Sequence, residues 1–342
     1  MKFYCGIDLS ARDSHICVID ERVKIVWEQK VRNDIERIIK LLEPFKANLQ
    51  IVVESTFNWY WLVDGLLAAG FDVVLAHTLG LHLITKAKVK TDRRDAFSLA
   101  KLLLTGVIPK AYIYPAETRP VRDLLRRRAQ LVQRRAGEYG SLRRLLLRQG
   151  ILSSKQSELK RAAESDLAQW FEHPFLRMSA SHELKRIALY SEQITEMEST
   201  ILALAKKEQA YERLQKLPGV GQIIALALFY EVGEIERFAN ARVFSSYCRV
   251  VMGLAQSGNI TRRGRARKQG NPYLKWALSQ AAVHAVQFHP RVRKYYERQM
   301  KRHQGRGRKL VVYNIIAHKL AQAAFHVLKE GSEYREELLF GP

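Results

Sequence analysis

Four acidic residues stand at positions where an acid needs a reason. Asp8 lies in the apolar, strand-like run Cys5-Gly6-Ile7-Asp8-Leu9-Ser10, and Glu54 follows directly on Ile51-Val52-Val53. Asp92 and Asp95 fall three apart in Lys90-Thr91-Asp92-Arg93-Arg94-Asp95-Ala96, at the start of a helical pattern, so both side chains can look the same way. A carboxylate inside or ending an apolar strand is costly to bury unless a cation or a donor compensates it. Two Mg²⁺ ions about 4 Å apart, shared by four such groups, would do so and would clamp the attacking and leaving oxygens of a phosphoryl transfer. Each acid also has a plainer reading. Asp92 and Asp95 suit the first turn of any helix, and Asp8 suits a turn after a strand. The metal reading rests on the four together, while Asp13, Asp20 and Asp34 read as surface or turn residues.

The elements that must position these acids are legible in outline. Residues 3–9, 14–20 and 24–31 are short β-prone runs separated by polar breaks, as in a meander. Ile35, Ile38, Ile39 and Leu42 then recur at helical spacing. A buried-looking strand over 49–53, a helix over 59–69, a strand over 71–76 and a helix over 93–105 follow. Three strands, then alternating helices and strands, is the order of a ribonuclease-H-like α/β fold, and other α/β folds share it. The spacing predicts an α/β domain over 1–114, a helical linker over 115–213 and a mainly helical domain over 214–342.

Beyond residue 114 the texture changes. Residues 119–150 hold ten arginines, among them Arg126, Arg127, Arg128, Arg134 and Arg135, against two acids, Asp123 and Glu138. Leu125, Val132, Tyr139 and Leu146 repeat every seven residues, giving a long helix with one apolar stripe and an arginine-rich remainder. A second heptad stretch pairs Ile187, Ile194 and Ile201 with Tyr190, Met197 and Leu204, which suits either an intermolecular coiled coil or two helices of an ordinary bundle. Leu217-Pro218-Gly219-Val220-Gly221 reads as a tight hairpin between helices, with Gly219 and Gly221 offering backbone N–H groups to a phosphate. Residues 261–310 carry fifteen Lys or Arg and the single acid Glu297, including Arg262, Arg263, Arg265, Arg267 and Lys268.

The whole chain has 57 Lys and Arg against 34 Asp and Glu, a formal charge of +23. A folded protein with that excess calls for an anionic partner, and nucleic acid fits best because neutralising phosphates releases counterions. No apolar run approaches the roughly 18 residues of a membrane span. After Met1-Lys2 the chain enters its first strand directly, without a signal-peptide pattern. Cys5, Cys17 and Cys248 are scattered and lack zinc spacing, so a reducing, cytoplasmic setting is expected.

Taken in order, the motifs resemble those of the DEDD insertion-sequence transposases. Cys5-Gly6-Ile7-Asp8, Val52-Val53-Glu54-Ser55 and the Asp92–Asp95 motif are similar to that family's N-terminal motifs. Tyr247-Cys248, Gln256-Ser257-Gly258 and Lys268-Gln269-Gly270-Asn271-Pro272-Tyr273-Leu274-Lys275-Trp276-Ala277 are similar to its C-terminal domain. The resemblance implies a RuvC-like domain, a helical coiled-coil linker and a transposase domain, with Asp8, Glu54, Asp92 and Asp95 as metal ligands and Ser257 as nucleophile. It further implies a bridge RNA that selects element and target DNA, and a dimer or tetramer. Two other readings share the acids and the charge: a metal-dependent nuclease or junction resolvase without a covalent intermediate, and a non-enzymatic nucleic-acid scaffold.

Overall fold

A computed structural model describes residues 1–84, 92–151, 159–205, 208–251, 253–257, 260–264 and 269–341. The chain divides into two compact units, Met1–Glu117 and Thr118–Pro342. The stretches 115–213 and 214–342, separate in the sequence reading, thus lie almost wholly within one unit.

The first unit is built on a five-stranded sheet of order β3-β2-β1-β4-β5. Strands β1 (Phe3–Leu9), β2 (Asp13–Asp20) and β3 (Ile25–Arg32) form an antiparallel meander. Asp20 makes the second turn: its carboxylate accepts the N–H groups of Arg22 and Lys24, each at 2.9 Å. Strands β4 (Leu49–Glu54) and β5 (Asp72–Ala76) run parallel to β1, and parallel neighbours need the crossover connections that helices supply. The connecting helices are α1 (Ile35–Leu42), capped by Asp34 receiving the N–H of Arg37 at 3.1 Å, and α2 (Tyr60–Ala68). The boundaries read from sequence hold to within a residue or two, except that the first helix, expected over 34–45, ends at Leu42 and tightens into a 3-10 helix over Glu43–Asn48. A short helix α3 (Thr78–Ile84), unmarked by any sequence pattern, precedes α4 (Asp92–Leu104).

Because strand side chains alternate, the sheet buries two distinct faces. Cys5, Ile7, Leu9, Ile51 and Val53 face one way and pack with Ile38, Leu42, Leu62 and Leu66 of α1 and α2. Val52, Val74 and Ala76 face the other way and pack with Leu99 and Leu103 of α4, while Cys17 and Ile19 meet Ala96 and Ala100. Burial on both faces explains why Ile51-Val52-Val53 is continuously apolar rather than alternating. The fit of α4 is backbone-close at Gly6, where a Cβ would lie 2.0 Å from the Ala96 carbonyl oxygen and 2.6 Å from the Ala100 nitrogen.

Among its described residues the second unit has helices and one hairpin. Helix α5 (Arg119–Arg148) packs along α6 (Pro174–Leu204), with Leu142, Leu145 and Leu146 against Leu184 and Ile187. The heptad isoleucines Ile187, Ile194 and Ile201 are all buried within their own chain. The isoleucines of the second stripe therefore serve an intramolecular helix pair, whereas Leu204 of the same stripe is exposed. A further core joins α7 (Gln209–Gln215), α8 (Gln222–Val232), α9 (Ala241–Tyr247), α10 (Pro272–Phe288), α11 (Pro290–Arg302) and α12 (Arg308–Glu330). No helix among the described residues is long and apolar enough to cross a membrane.

The substitution Gly6→Ala places a methyl group where α4's backbone lies. We expect it to destabilise the first unit by about 1–3 kcal/mol, the usual cost of overpacking a closed core, read as a lower urea midpoint for that unit. An unchanged midpoint would show that α4 is not seated against β1.

Candidate active site

Asp8 and Glu54 owe their proximity to register. In the parallel pair β1–β4, Ile7 stands beside Val53, so Asp8 and Glu54 occupy the next position, at the C-terminal ends of neighbouring strands. Such strands lie about 4.8 Å apart. Gly6 and Val52 face α4, and residues two further along each strand face the same way, which turns Asp8 and Glu54 toward the α4 side. Helix α4 brings the other pair. Arg93 in its first turn meets Glu28, which also meets His15, the β2 residue paired with Asp8, so that turn, carrying Asp92 and Asp95, lies toward the Asp8 end. Asp8, Glu54 and Asp95 are half-buried and Asp92 is exposed. Among the described residues no group of three or more His, Cys, Asp or Glu side chains is gathered closely enough to hold a metal ion. The backbone thus places the four acids on one face at one end of the sheet without drawing their oxygens into a finished shell.

A second set of side chains fixes α4's first turn to the sheet. Glu28 on β3 meets Nε2 of His15 at 3.1 Å and accepts Nε of Arg93 at 2.9 and 3.0 Å and its terminal nitrogen at 2.9 Å. His15 is the β2 residue paired with Asp8, and Arg93 sits between Asp92 and Asp95. Burial works to raise the Glu28 pKa, but the hydrogen bonds from Arg93 and His15 outweigh it and hold the carboxyl below its ordinary value. Sequence reasoning did not single out His15, Glu28 or Arg93. The signal was the arginine inside the Asp92–Asp95 spacing, which has no use in a plain N-terminal cap. Burial, with the nearby Glu28 carboxylate second, pushes the Cys17 thiol up to about 11, and burial raises Cys5 as well, so both are poor nucleophiles.

Ser257 ends β6 (Gly253–Ser257), which pairs antiparallel with β7 (Ile260–Gly264), the two residues at the hairpin end being Ser257 and Ile260. Arg262 and Arg263 lie on β7 opposite Ala255 and Leu254, whereas Arg265, Arg267 and Lys268 fall outside the described residues. Both flanks of this hairpin are anchored in the core. Before it, the Val250 carbonyl accepts the Asn314 side chain at 2.8 Å. After it, Gly270 (φ +100°) passes so near Tyr247 that a Cβ would lie 2.4 Å from its carbonyl oxygen, a path only glycine takes easily. Asn271 then donates its N–H to the same carbonyl at 2.7 Å, caps α10 through the N–H groups of Tyr273 and Leu274, and donates its amide to Glu231 at 2.6 Å. Glu231 is 1% exposed and is paired with the Arg126 guanidinium, its second bond measuring 2.7 Å.

This revises the expectation for the arginine helix. Arg126 pairs with Glu231 and stacks over Tyr273, 4.6 Å from the ring centre; Arg128 pairs with Glu198; Arg135 donates to Ser191 at 3.1 Å. Arg127 and Arg134, one heptad apart, are exposed. Gly219 (φ +74°) is likewise drawn inward: a Cβ there would lie 2.1 Å from the Ala281 carbonyl oxygen, and its N–H points to His289 at 3.3 Å, leaving nothing for a phosphate. Gly221, at the N-terminus of α8, is exposed with open space around it.

Comparison with known proteins covers both regions. The family described as the IS116/IS110/IS902 transposases matches residues 211–297, and the DEDD transposase family of the IS110 type matches residues 5–150. The chain belongs to the IS110 transposases. It is 26% identical to the transposase for insertion sequence element IS1111A of Coxiella burnetii, over 81% of this chain and 76% of that protein. It is 27% identical to the putative transposase y4qE of Sinorhizobium fredii, over 85% and 73%. A transposase for insertion sequence element IS1533 of Leptospira borgpetersenii is 24% identical, over 70% and 72%. The matched stretches of this transposase contain all four acids and Ser257, whereas residues 151–210 lie outside both.

Replacing Arg126 with Met removes the guanidinium that pairs with the buried Glu231 carboxylate, and the second unit should lose about 3–5 kcal/mol. At the exposed neighbour, Arg127→Met should change stability by no more than about 0.5 kcal/mol. Equal denaturation midpoints for the two variants would show that the Arg126–Glu231 pair does not hold this core.

Proposed function

We propose that this insertion-element transposase cuts and rejoins DNA through a covalent phosphoserine link on Ser257. In this reading the acids Asp8, Glu54, Asp92 and Asp95 hold two Mg²⁺ ions, and a guide RNA chooses the DNA. The observation that carries it is the placement of the four acids toward one end of a sheet made of three strands followed by alternating helices and strands, the chain order that suggests a ribonuclease-H-like domain. Four carboxylates without a sulfur or imidazole among them are hard oxygen donors, which suits Mg²⁺ rather than zinc. When bound, such ions neutralise charge on the transferring phosphate and on the departing oxygen.

Every other task falls to the chain's own groups. The Ser257 hydroxyl attacks phosphorus, a P–O bond of the DNA backbone breaks, the hydroxyl proton leaves to a base, and the departing DNA oxygen takes up a proton. The phosphoserine ester keeps the bond energy, so a second DNA hydroxyl can displace the serine without a nucleotide cofactor. A serine hydroxyl is a weak nucleophile at neutral pH, and a hairpin anchored at both flanks keeps it from wandering off line. Arg262, Arg263, Arg265, Arg267 and Lys268, with Arg127, Arg134 and the Gly221 N–H on other elements, bind phosphates and so set register rather than sequence. In this reading sequence choice is delegated to RNA pairing. Exchange of four strands calls for two or four protomers, acting in the cytoplasm, where the buried thiols Cys5, Cys17 and Cys248 stay reduced.

The test is covalent trapping. Purified protein, co-expressed RNA, Mg²⁺ and labelled element-end DNA are resolved on a denaturing gel, with Ser257→Ala and Asp8→Ala alongside. We expect a protein-linked DNA band in the wild type and in neither variant. Free cleaved DNA that survives Ser257→Ala would make the protein a metal-dependent nuclease instead.

A further inference from the structure

Phe57 is the most exposed large apolar side chain among the described residues, at 86%. It stands three residues after Glu54, beside the acidic end of the sheet. A ring in water usually belongs to a slack loop, but residues 55–58 are braced at each step. The Ser55 N–H donates to the Ala76 carbonyl at 2.9 Å, and its hydroxyl meets that of Thr78 at 3.2 Å. The Thr56 N–H returns to the Glu54 carbonyl at 2.8 Å, and its hydroxyl donates to the Asn58 side chain at 3.0 Å. Asn58 in turn donates to the Ser10 carbonyl at 3.1 Å, tying this loop to the end of β1 two residues after Asp8. The next residue, Trp59, is buried in the sheet core and meets Tyr60 edge-on at 4.6 Å. The loop therefore spans the ends of the two strands that carry Asp8 and Glu54 and holds one unburied ring out from them.

We infer that Phe57 is a base-stacking residue, which takes the face of an unstacked nucleobase beside the phosphate cut at the acidic site. The inference rests on the reading of Asp8 and Glu54 as the acids that act on DNA. Three features select a nucleobase over a protein partner. The ring's chain neighbours Ser55, Thr56 and Asn58 are polar, whereas the patches that protein interfaces bury are contiguous apolar surface. A phenyl ring has no donor or acceptor, so it holds any base by its π-face, which suits an enzyme whose sequence choice lies elsewhere. A wedge between base steps also bends and opens a duplex, which gives acids at a strand end access to the backbone.

The test uses element-end DNA with 5-iodouracil placed singly on either side of the cut. It is bound to the protein with its co-expressed RNA in EDTA, so that no cleavage intervenes, and irradiated. Cross-linked peptides are then mapped. We expect one position to cross-link to the peptide containing Phe57, and Phe57→Leu to lower that yield about ten-fold while Phe57→Trp restores it. In Mg²⁺, Phe57→Leu should slow cleavage about ten-fold with DNA retention and thermal midpoint unchanged. No cross-link to that peptide at any position, or wild-type cleavage by Phe57→Leu, would overturn the inference. A Phe57 cross-link in a protein whose Asp8→Ala variant still cuts would keep the base contact and remove only the carboxylate reading.

Discussion

The first unit depends on a missing side chain. Gly6 lets the backbone of α4 lie directly on β1, and with a Cβ there the helix would have to lift by more than an ångström. That contact sets the height of α4 over the sheet. It decides whether Asp92 and Asp95 stand near the ends of β1 and β4 or far above them. Leu99 and Leu103 then fill the space over Val52, Val74 and Ala76, and Glu28 grips Arg93 to stop the first turn from sliding. The placement of the acids is thus controlled by one glycine, a few aliphatic side chains and one arginine.

The second unit solves a different problem, tying the segments on either side of a short hairpin to a helical core. Its anchor is a buried carboxylate, Glu231, which would be costly to desolvate alone. Arg126 supplies the charge and Asn271 the further hydrogen bond, while Asn271 also caps the helix that follows the hairpin. One network therefore ties α5, α8 and the start of α10 together at the place where the hairpin returns to the core. The same economy appears at Gly219, whose backbone sits against the small residues Ala281 and Ala285 so that α8 and α10 pack closely.

Charge works on two scales. The net +23 draws a polyanion to the protein as a whole. Locally the acids Asp8 and Glu54 end neighbouring strands, with the Arg93 guanidinium close by on Glu28. Arginines serve both scales, and their surroundings separate the roles. Where a carboxylate lies within reach, as for Arg93, Arg126 and Arg128, the guanidinium becomes a structural strut; where none does, as for Arg127 and Arg134, it stays exposed.

The sequence by itself determined the elements and the acids. Alternation and helical spacing marked the strands, α1, α2 and α4, because local periodicity reports which faces are buried. Glu54 stood out because an acid directly after three apolar β-branched residues has no ordinary reason to be there. The order of the motifs also marked the family. Only the tertiary structure decided which arginines are available, since Arg126 and Arg127 are adjacent in sequence and differ solely in what lies across from them. Only it showed that the heptad isoleucines close on their own chain, that Gly219 packs while Gly221 is open, and that His15 and Glu28 stand beside the acids. Ion pairs between residues 65 or 105 positions apart leave no periodic trace. Periodicity records how a segment meets a surface; which surface it meets is settled only when the chain has closed on itself.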